Sequence, residues 1–226
     1  MNPQHVEGES LPVGRPIALR RPFDSIPTAT WDALASRNPW ATPFARWAFH
    51  RAWWDAYGAG AHDQTVIVVD PASSSALPIA IVPLMHRHQV EPGDGAIRTS
   101  MRHEGAALTP VEPTATAVFF GASYHADYAT VLADPADLPA VAAALVDLLA
   151  RDAGDGQQPA ERWDEVDLRR LRCGDPAADA LEQAFERRAD ADGWTVVRER
   201  EDVCPIVTLP DTRDVEAFLT TLGKKE

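Results

Sequence analysis

Two apolar, β-branched segments separated by a short polar stretch constrain the fold of this chain more than any other feature. The first is QTVIVVD at 64–70 and the second is LPIAIVPLMHRHQV at 77–90. The residues between them, PASSSA at 71–76, have the composition of a turn. The pattern predicts two neighbouring antiparallel strands within a sheet.

Helical segments alternate with this hairpin and with further strands. The clearest helix is LPAVAAALVDLLARDAG at 138–154, and others are predicted at 27–39, at 43–58 and from about Pro176 onward. Further strands are predicted at 15–21, 97–101, 116–121, 163–171, 194–202 and 203–210. The sequence therefore predicts an α/β (α+β) fold, with a mixed, largely antiparallel sheet flanked by helices.

The chain divides into three parts by composition. Residues 1–14 read as a flexible, polar N-terminal tail, residues 15–210 as one domain, and residues 211–226 as the start of a helix. Asp211 and Thr212 are suitable N-cap residues for that helix.

The last predicted helix carries an apolar stripe and then becomes basic. Lys224 and Lys225 are the only lysines in the chain and stand next to its last residue, Glu226. The stripe consists of Val215, Phe218, Leu219 and Leu222. If these side chains do not cover the sheet of their own domain, the stripe predicts self-association.

Charge and hydropathy exclude several classes of function. The 226 residues carry 21 basic and 34 acidic side chains, a net charge of −13, which repels the phosphate backbone of nucleic acids. No stretch approaches the roughly 20 apolar residues of a membrane helix, and the N-terminus lacks the apolar core of a secretory signal. We therefore expect a cytoplasmic protein with neither a membrane nor a nucleic-acid partner.

Metal and nucleotide motifs are absent from the sequence. Cys173 and Cys204 form no CxxC motif, and we expect neither a disulfide nor a metal site. No GxxxxGK[ST], GxGxxG or GxSxG motif is present. His86 and His88 share one strand face, but with no third ligand nearby we interpret them as an exposed strand end.

Two loops combine histidine with carboxylates. His103 stands beside Glu104, and the loop ASYHADYATVLA at 122–133 contains His125, Asp127 and Tyr128. A loop of this composition after a strand suits a general base or a polar grip on a substrate, so these three residues are our candidates for an acceptor-contacting site. An alternative stays open, in which Asp127 caps a turn and Tyr128 packs on the core. The aromatic helix at 43–58, including Trp53 and Trp54, is interpreted as core.

The order of several motifs resembles a known family. The motifs are PFARWAFHRAWWDAYG, LPIAIVPLM, HADYATVL, WDEVDL, CPIVTLP and LTTLGKK, in that order along the chain. The series resembles the N-terminal half of the CelD-like group of GNAT-superfamily acetyltransferases, some of which are associated with cellulose or exopolysaccharide production. The resemblance covers roughly residues 27–226.

The resemblance implies an activity and a domain arrangement. It implies a GNAT-like fold and acyl transfer from acetyl-CoA or another acyl-CoA to an amine or hydroxyl of a small molecule or glycan precursor. In the family the KK segment continues into a basic helix and a second GNAT-like domain, where the pyrophosphate loop is expected. No R/Q-x-x-G-x-G/A segment stands in this chain, so no cofactor-binding residue is assigned. Two other interpretations stay open: a non-catalytic binding or scaffolding module, and a truncated gene product without independent activity.

Overall fold

The computed structural model describes residues 14–73, 77–87, 117–122, 126–153, 162–200, 203 and 215–221. This part of the chain contains two mostly antiparallel, four-stranded sheets and five α-helices, a mixed α+β structure that confirms the predicted class. The strands are β1 (Ile17–Arg20), β2 (Ala61–Asp63), β3 (Val66–Val69), β4 (Ala80–Val82), β5 (Leu84–Arg87), β6 (Ala117–Phe120), β7 (Leu132–Ala133) and β8 (Glu165–Asp167). The helices are α1 (Thr28–Arg37), α2 (Trp47–Tyr57), α3 (Leu138–Asp152), α4 (Pro176–Asp192) and α5 (Val215–Thr221).

Two antiparallel strand pairs, β3–β4 and β2–β5, form one ribbon that runs through both sheets. The strand order is β1-β3-β4-β7 in the first sheet and β2-β5-β6-β8 in the second. β3 pairs with β4 and β2 pairs with β5, both antiparallel, so the predicted hairpin is confirmed. The single strand predicted at 77–90 is instead two strands separated by Pro83. Proline has no N–H to donate to a ladder, and this accounts for the break.

β6 and β7 extend the second and the first sheet respectively, so the chain passes from one sheet to the other between them. β6 lies antiparallel to β5, and β7, which follows it, lies antiparallel to β4. β8 adds to β6 as a parallel neighbour, which is why the sheets are mostly rather than wholly antiparallel. The segment between β6 and β7 therefore crosses the break in the ribbon.

Helices cover both faces of the sheets. On β4, Val82 packs in the cluster that contains Leu145 of α3 and Leu181 of α4. Ile81, the neighbour of Val82, packs on the opposite face with Trp31 of α1. Successive strand residues point to opposite faces, so the alternation along β4 places α3 and α4 on one side and α1 on the other.

Side-chain capping is present at the start of some helices and absent at others. Asp175 caps α4 by accepting a hydrogen bond from Ala177 N at 2.8 Å, and Gly193 closes the helix with a φ of 70°. α1, in contrast, has Pro27 as its N-cap residue and no side-chain hydrogen bond at its start.

The strand predicted at 194–202 is also wrong over the part that the structure describes. Residues 194–200 form no regular structure, and Val197 is 66% exposed. The aromatic end of the segment is used for packing instead, since the ring of Trp194 lies 5.4 Å from that of Trp163. The strand predicted at 97–101 lies outside the described residues, as does nearly all of the one at 203–210.

Candidate functional site

A narrow cleft lies between the end of β6 and the start of β7. Gly121 N donates a hydrogen bond to Pro83 O at 2.9 Å, and Ala122, the next residue, has a left-handed φ of 59°. The wall of the cleft is formed by Phe44, Ala45, His50, Pro83, Phe120, Gly121, Ala126, Tyr128, Ala129, Thr130 and Leu132. The space open to the centre of a water molecule is about 20 Å³, room for about one water-sized group.

His50 supplies a buried polar group to this wall. It lies on α2, is 4% exposed, and its ring centroid is 4.9 Å from that of Trp31 and 6.2 Å from that of Phe23. Burial lowers the pKa of His50 to about 3, so the imidazole is uncharged at neutral pH. Its Nδ1 atom has no hydrogen-bond partner among the residues that the structure describes.

Thr130 supplies a hydroxyl whose position is fixed by a neighbouring amide. Asn38, the residue at which α1 ends, donates through Nδ2 to Thr130 Oγ1 at 3.2 Å and to Val131 O at 2.7 Å. Its Oδ1 accepts from Trp40 N at 2.8 Å. Asn38 and Thr130 are 5% and 6% exposed, so this network belongs to the interior. It fixes the start of β7 against the end of α1.

Asp175 lies near the same hydroxyl and is 1% exposed. Burial raises the pKa of the Asp175 carboxyl, while the hydrogen bond from Ala177 N, the Thr130 hydroxyl and the charge of Arg172 act in the opposite direction. A buried carboxylate that caps a helix N-terminus also gains from the helix dipole. Asp175 therefore joins the start of α4 to the polar side of the cleft.

Two loops that flank the cleft are bonded to each other. Ala129 and Leu171 form an isolated parallel bridge, and Ala129 N donates to Arg170 O at 3.0 Å. Arg170 Nη1 in turn donates to Ala126 O at 2.6 Å. Arg170 has a φ of 67°, a left-handed conformation that is costly for a residue with a Cβ atom. These bonds hold the loop after β8 against the loop before β7.

Arg172 lies in the loop after β8, one residue beyond Leu171. Its Cζ atom lies 5.1 Å from the ring centroid of Trp40 and 5.2 Å from that of Tyr128. Both distances fall within the range of cation–π contacts, so the guanidinium contacts both rings. Because Tyr128 also lines the cleft, this arrangement stands at the rim of the site.

The structure places only part of the predicted site at the cleft. Tyr128 lines it, whereas Asp127 is exposed and is not among the lining residues. His125 lies outside the described residues, as do His88, His103 and Glu104. The prediction of an exposed strand end at His86 is wrong, because His86 is 1% exposed within β5.

Sequence reasoning missed His50, Thr130 and Arg172. His50 stood within a helix that was interpreted as core, although a histidine three residues from both Trp47 and Trp53 is the one polar side chain on an otherwise aromatic stripe. Thr130 and Arg172 carry no local signal, since their neighbours come from distant parts of the chain.

Over the described parts of the chain, no group of three or more His, Cys, Asp or Glu side chains is arranged to hold a metal ion. No helix there is both long and apolar enough to cross a bilayer. Comparison of the chain with protein-family models, curated proteins and solved structures gave no match. Any function must therefore be argued from the cleft itself and from the sequence resemblance.

Proposed function

We propose that this chain serves in acyl transfer from a coenzyme A thioester to an amine or hydroxyl, and that the reacting group enters the cleft between β6 and β7. The activity comes from the resemblance to CelD-like GNAT acetyltransferases. The observation that supports the cleft as its location is the uncharged imidazole of His50, buried in a wall that is otherwise largely apolar. The cleft has room for a group of about the size of an acetyl methyl or a carbonyl oxygen.

A neutral imidazole offers one N–H donor and one lone pair. In acyl transfer the acceptor nitrogen or oxygen attacks the thioester carbonyl carbon, the C–S bond breaks, and the departing thiolate takes up the proton that the acceptor loses. Negative charge grows on the carbonyl oxygen during the attack. An N–H of His50 directed at that oxygen stabilises the charge more strongly in a water-poor site than in bulk water. A pKa of about 3 makes His50 unsuitable as the base at neutral pH, so we assign it hydrogen bonding and not proton abstraction.

Release of free thiol from acetyl-CoA in the presence of glucosamine tests this proposal. Glucosamine offers an amine and several hydroxyls, and mass spectrometry identifies the acetylated product. We expect His50→Phe to lower the rate by about 10²-fold or more, as removal of one oxyanion-stabilising donor does in other enzymes. His62→Phe is the matched control, because His62 is exposed on β2 and does not line the cleft. An unchanged rate in His50→Phe contradicts the proposal, as does wild-type protein that neither binds acetyl-CoA nor releases thiol.

A binding module without chemistry is the second candidate function. It is supported by the lining itself, since none of the described residues in the cleft wall is an acid and the one histidine there does not titrate near neutral pH. Such a module would recognise a glycan precursor or pair with a catalytic domain. Saturable binding of glucosamine in calorimetric titration, with no thiol release from acetyl-CoA, favours this candidate over the enzyme.

A further inference from the structure

Arg172 differs from its neighbours in how its guanidinium is used. Arg169 Nε donates to Asp167 Oδ2 at 2.5 Å, and Arg170 donates to a backbone carbonyl. Arg172 makes cation–π contacts with Trp40 and Tyr128, yet its guanidinium forms no hydrogen bond or ion pair with any residue that the structure describes. The positive charge of Arg172 acts to lower the pKa of the Asp175 carboxyl.

The two aromatic contacts use none of the N–H donors of the guanidinium for a hydrogen bond. Arginine carries five such donors. Contact with two rings restricts the side chain before a ligand arrives, which reduces the entropy lost on binding. The loop geometry supports the arrangement, because Gly174 has a φ of +88° and a Cβ atom there would lie 3.4 Å from Trp40.

The positive charge of Arg172 stands out in a chain that is acidic overall. The sequence has a net charge of −13, and its surface as a whole disfavours anions. The half-buried guanidinium of Arg172, which forms no ion pair with the described acids, is a local positive charge at the rim of the cleft. The planar fork of arginine matches two oxygen atoms of a carboxylate or a phosphate.

We propose that Arg172, in contact with Trp40 and Tyr128, binds an anionic group of the ligand that enters the cleft, a carboxylate or a phosphate monoester. This deepens the proposed function by naming a chemical feature of the acceptor, and it rests on that function only for the identity of the ligand. The binding itself does not depend on acyl transfer.

The Arg172 Nε–H resonance in a ¹⁵N-labelled sample tests the proposal directly. The wild-type protein is titrated with inorganic phosphate and, separately, with acetate, with sodium chloride keeping the ionic strength constant. We expect a saturable shift with one of the two anions, and the preferred anion distinguishes a phosphate ligand from a carboxylate ligand. Arg172→Gln abolishes saturable binding, followed through nearby backbone amides. Arg172→Lys keeps the charge but loses the fork, and we expect it to weaken binding at least about tenfold.

Three further variants distinguish the aromatic contacts of Arg172 from a general effect of charge. Arg198→Gln removes the same charge from an exposed residue beyond the end of α4, which pairs with Asp179 and Glu182, and should leave binding within about twofold. Tyr128→Phe keeps the ring and should bind as the wild type does, whereas Tyr128→Leu should bind more weakly. Equal affinity in Arg172→Gln and Arg198→Gln, or the absence of any saturable shift, overturns the proposal. Anion binding without thiol release from acetyl-CoA leaves it standing and contradicts only the acyl-transfer function.

Discussion

Among single residues, His50 carries an energetic cost that its packing does not explain. A buried polar atom without a partner destabilises a protein by about 1–3 kcal/mol, and Nδ1 of His50 is such an atom among the described residues. The rings around it belong to Phe23 and Trp31, so phenylalanine would suit the position better on packing alone. Contact with a ligand or with an ordered water would satisfy this atom.

The pH dependence of stability follows from the same residue. His50 has a pKa of about 6.5 in the unfolded chain, whereas burial lowers its pKa in the folded state to about 3. Between these values the unfolded state binds more protons, so the stability that the wild type has above pH 6.5 is lost as the pH falls toward 3. The loss approaches about 1.4 kcal/mol per pH unit.

The measurement is urea unfolding of the wild type and of His50→Phe at several pH values between about 7 and 4. Carboxylates titrate in both proteins, so the difference between the two curves isolates His50. We expect His50→Phe to be at least as stable as the wild type at pH 7 and to gain relative to it at each lower pH. Parallel pH profiles would mean that the folded protein protonates His50 readily, and that the imidazole is accessible to water.

At the scale of elements, local periodic patterns predicted helices and the hairpin, whereas features that depend on non-local contacts were missed. The starts of α3 and α4 and the hairpin partners β3 and β4 follow from apolar spacing, capping and turn composition, and these are confirmed. The exchange between sheets at Pro83 was missed, because a proline within an apolar run does not say which neighbours pair on either side of it. Of the site, Tyr128 was predicted from its loop, whereas Arg172 acquires its role only from Trp40, which is distant in sequence.

α2 shows that an aromatic helix assigned to the core need not bury every ring. The interpretation as core is confirmed for Trp53, and Trp54 packs against the same interior. In the structure the buried residues of α2 are His50 and Trp53, and Tyr57 is 41% exposed. The helix begins at Trp47, after a separate 3₁₀ turn at Pro43–Ala45, so Phe44 is not part of its periodicity.

An ion pair ties the first strand to the end of α3. Arg20 of β1 bonds Asp152 through Nη2, and their side chains are only 18% and 5% exposed. Removal of one partner leaves the other charge poorly solvated, so we expect Asp152→Ala to lower the free energy of unfolding by about 2–3 kcal/mol. Arg20→Met combined with Asp152→Ala should restore part of that loss.

Chemical denaturation of the single and double variants checks this prediction. Asp55→Ala is the matched control, because the Arg51–Asp55 pair lies on the exposed surface of α2, with side chains 42% and 57% exposed. That change should have little effect, since solvent screens an exposed pair. A similar response to Asp152→Ala and Asp55→Ala would show that the Arg20–Asp152 pair contributes no more than a surface contact.

At the scale of the whole molecule, charge and exposed apolar surface oppose each other. The net charge of −13 keeps copies apart, whereas α5 exposes Val215 to 67% and Leu219 to 48%. Leu222, the last residue of the predicted stripe, lies outside the described residues. The stripe on α5 is thus available for contact with another surface.

We expect the chain to self-associate through α5, more strongly as salt screens the repulsion between copies. Sedimentation velocity at increasing protein and sodium chloride concentrations should show a rising average mass. The double variant Val215→Ser with Leu219→Ser should remain monomeric under the same conditions. Glu216→Gln, on the same helix, is the control for charge alone. A wild-type mass that stays constant with both concentrations contradicts this expectation.

The short outer strands have a consequence for how copies of the chain can meet. Within the described residues the sheets are bounded by β1, β7, β2 and β8, which have four, two, three and three residues. A strand so short offers few free backbone groups to a foreign chain, and Arg20, Asp63, Glu165 and Asp167 add charge along these borders. Amyloid-like growth by strand addition is therefore disfavoured, and any assembly of this protein should proceed through helices.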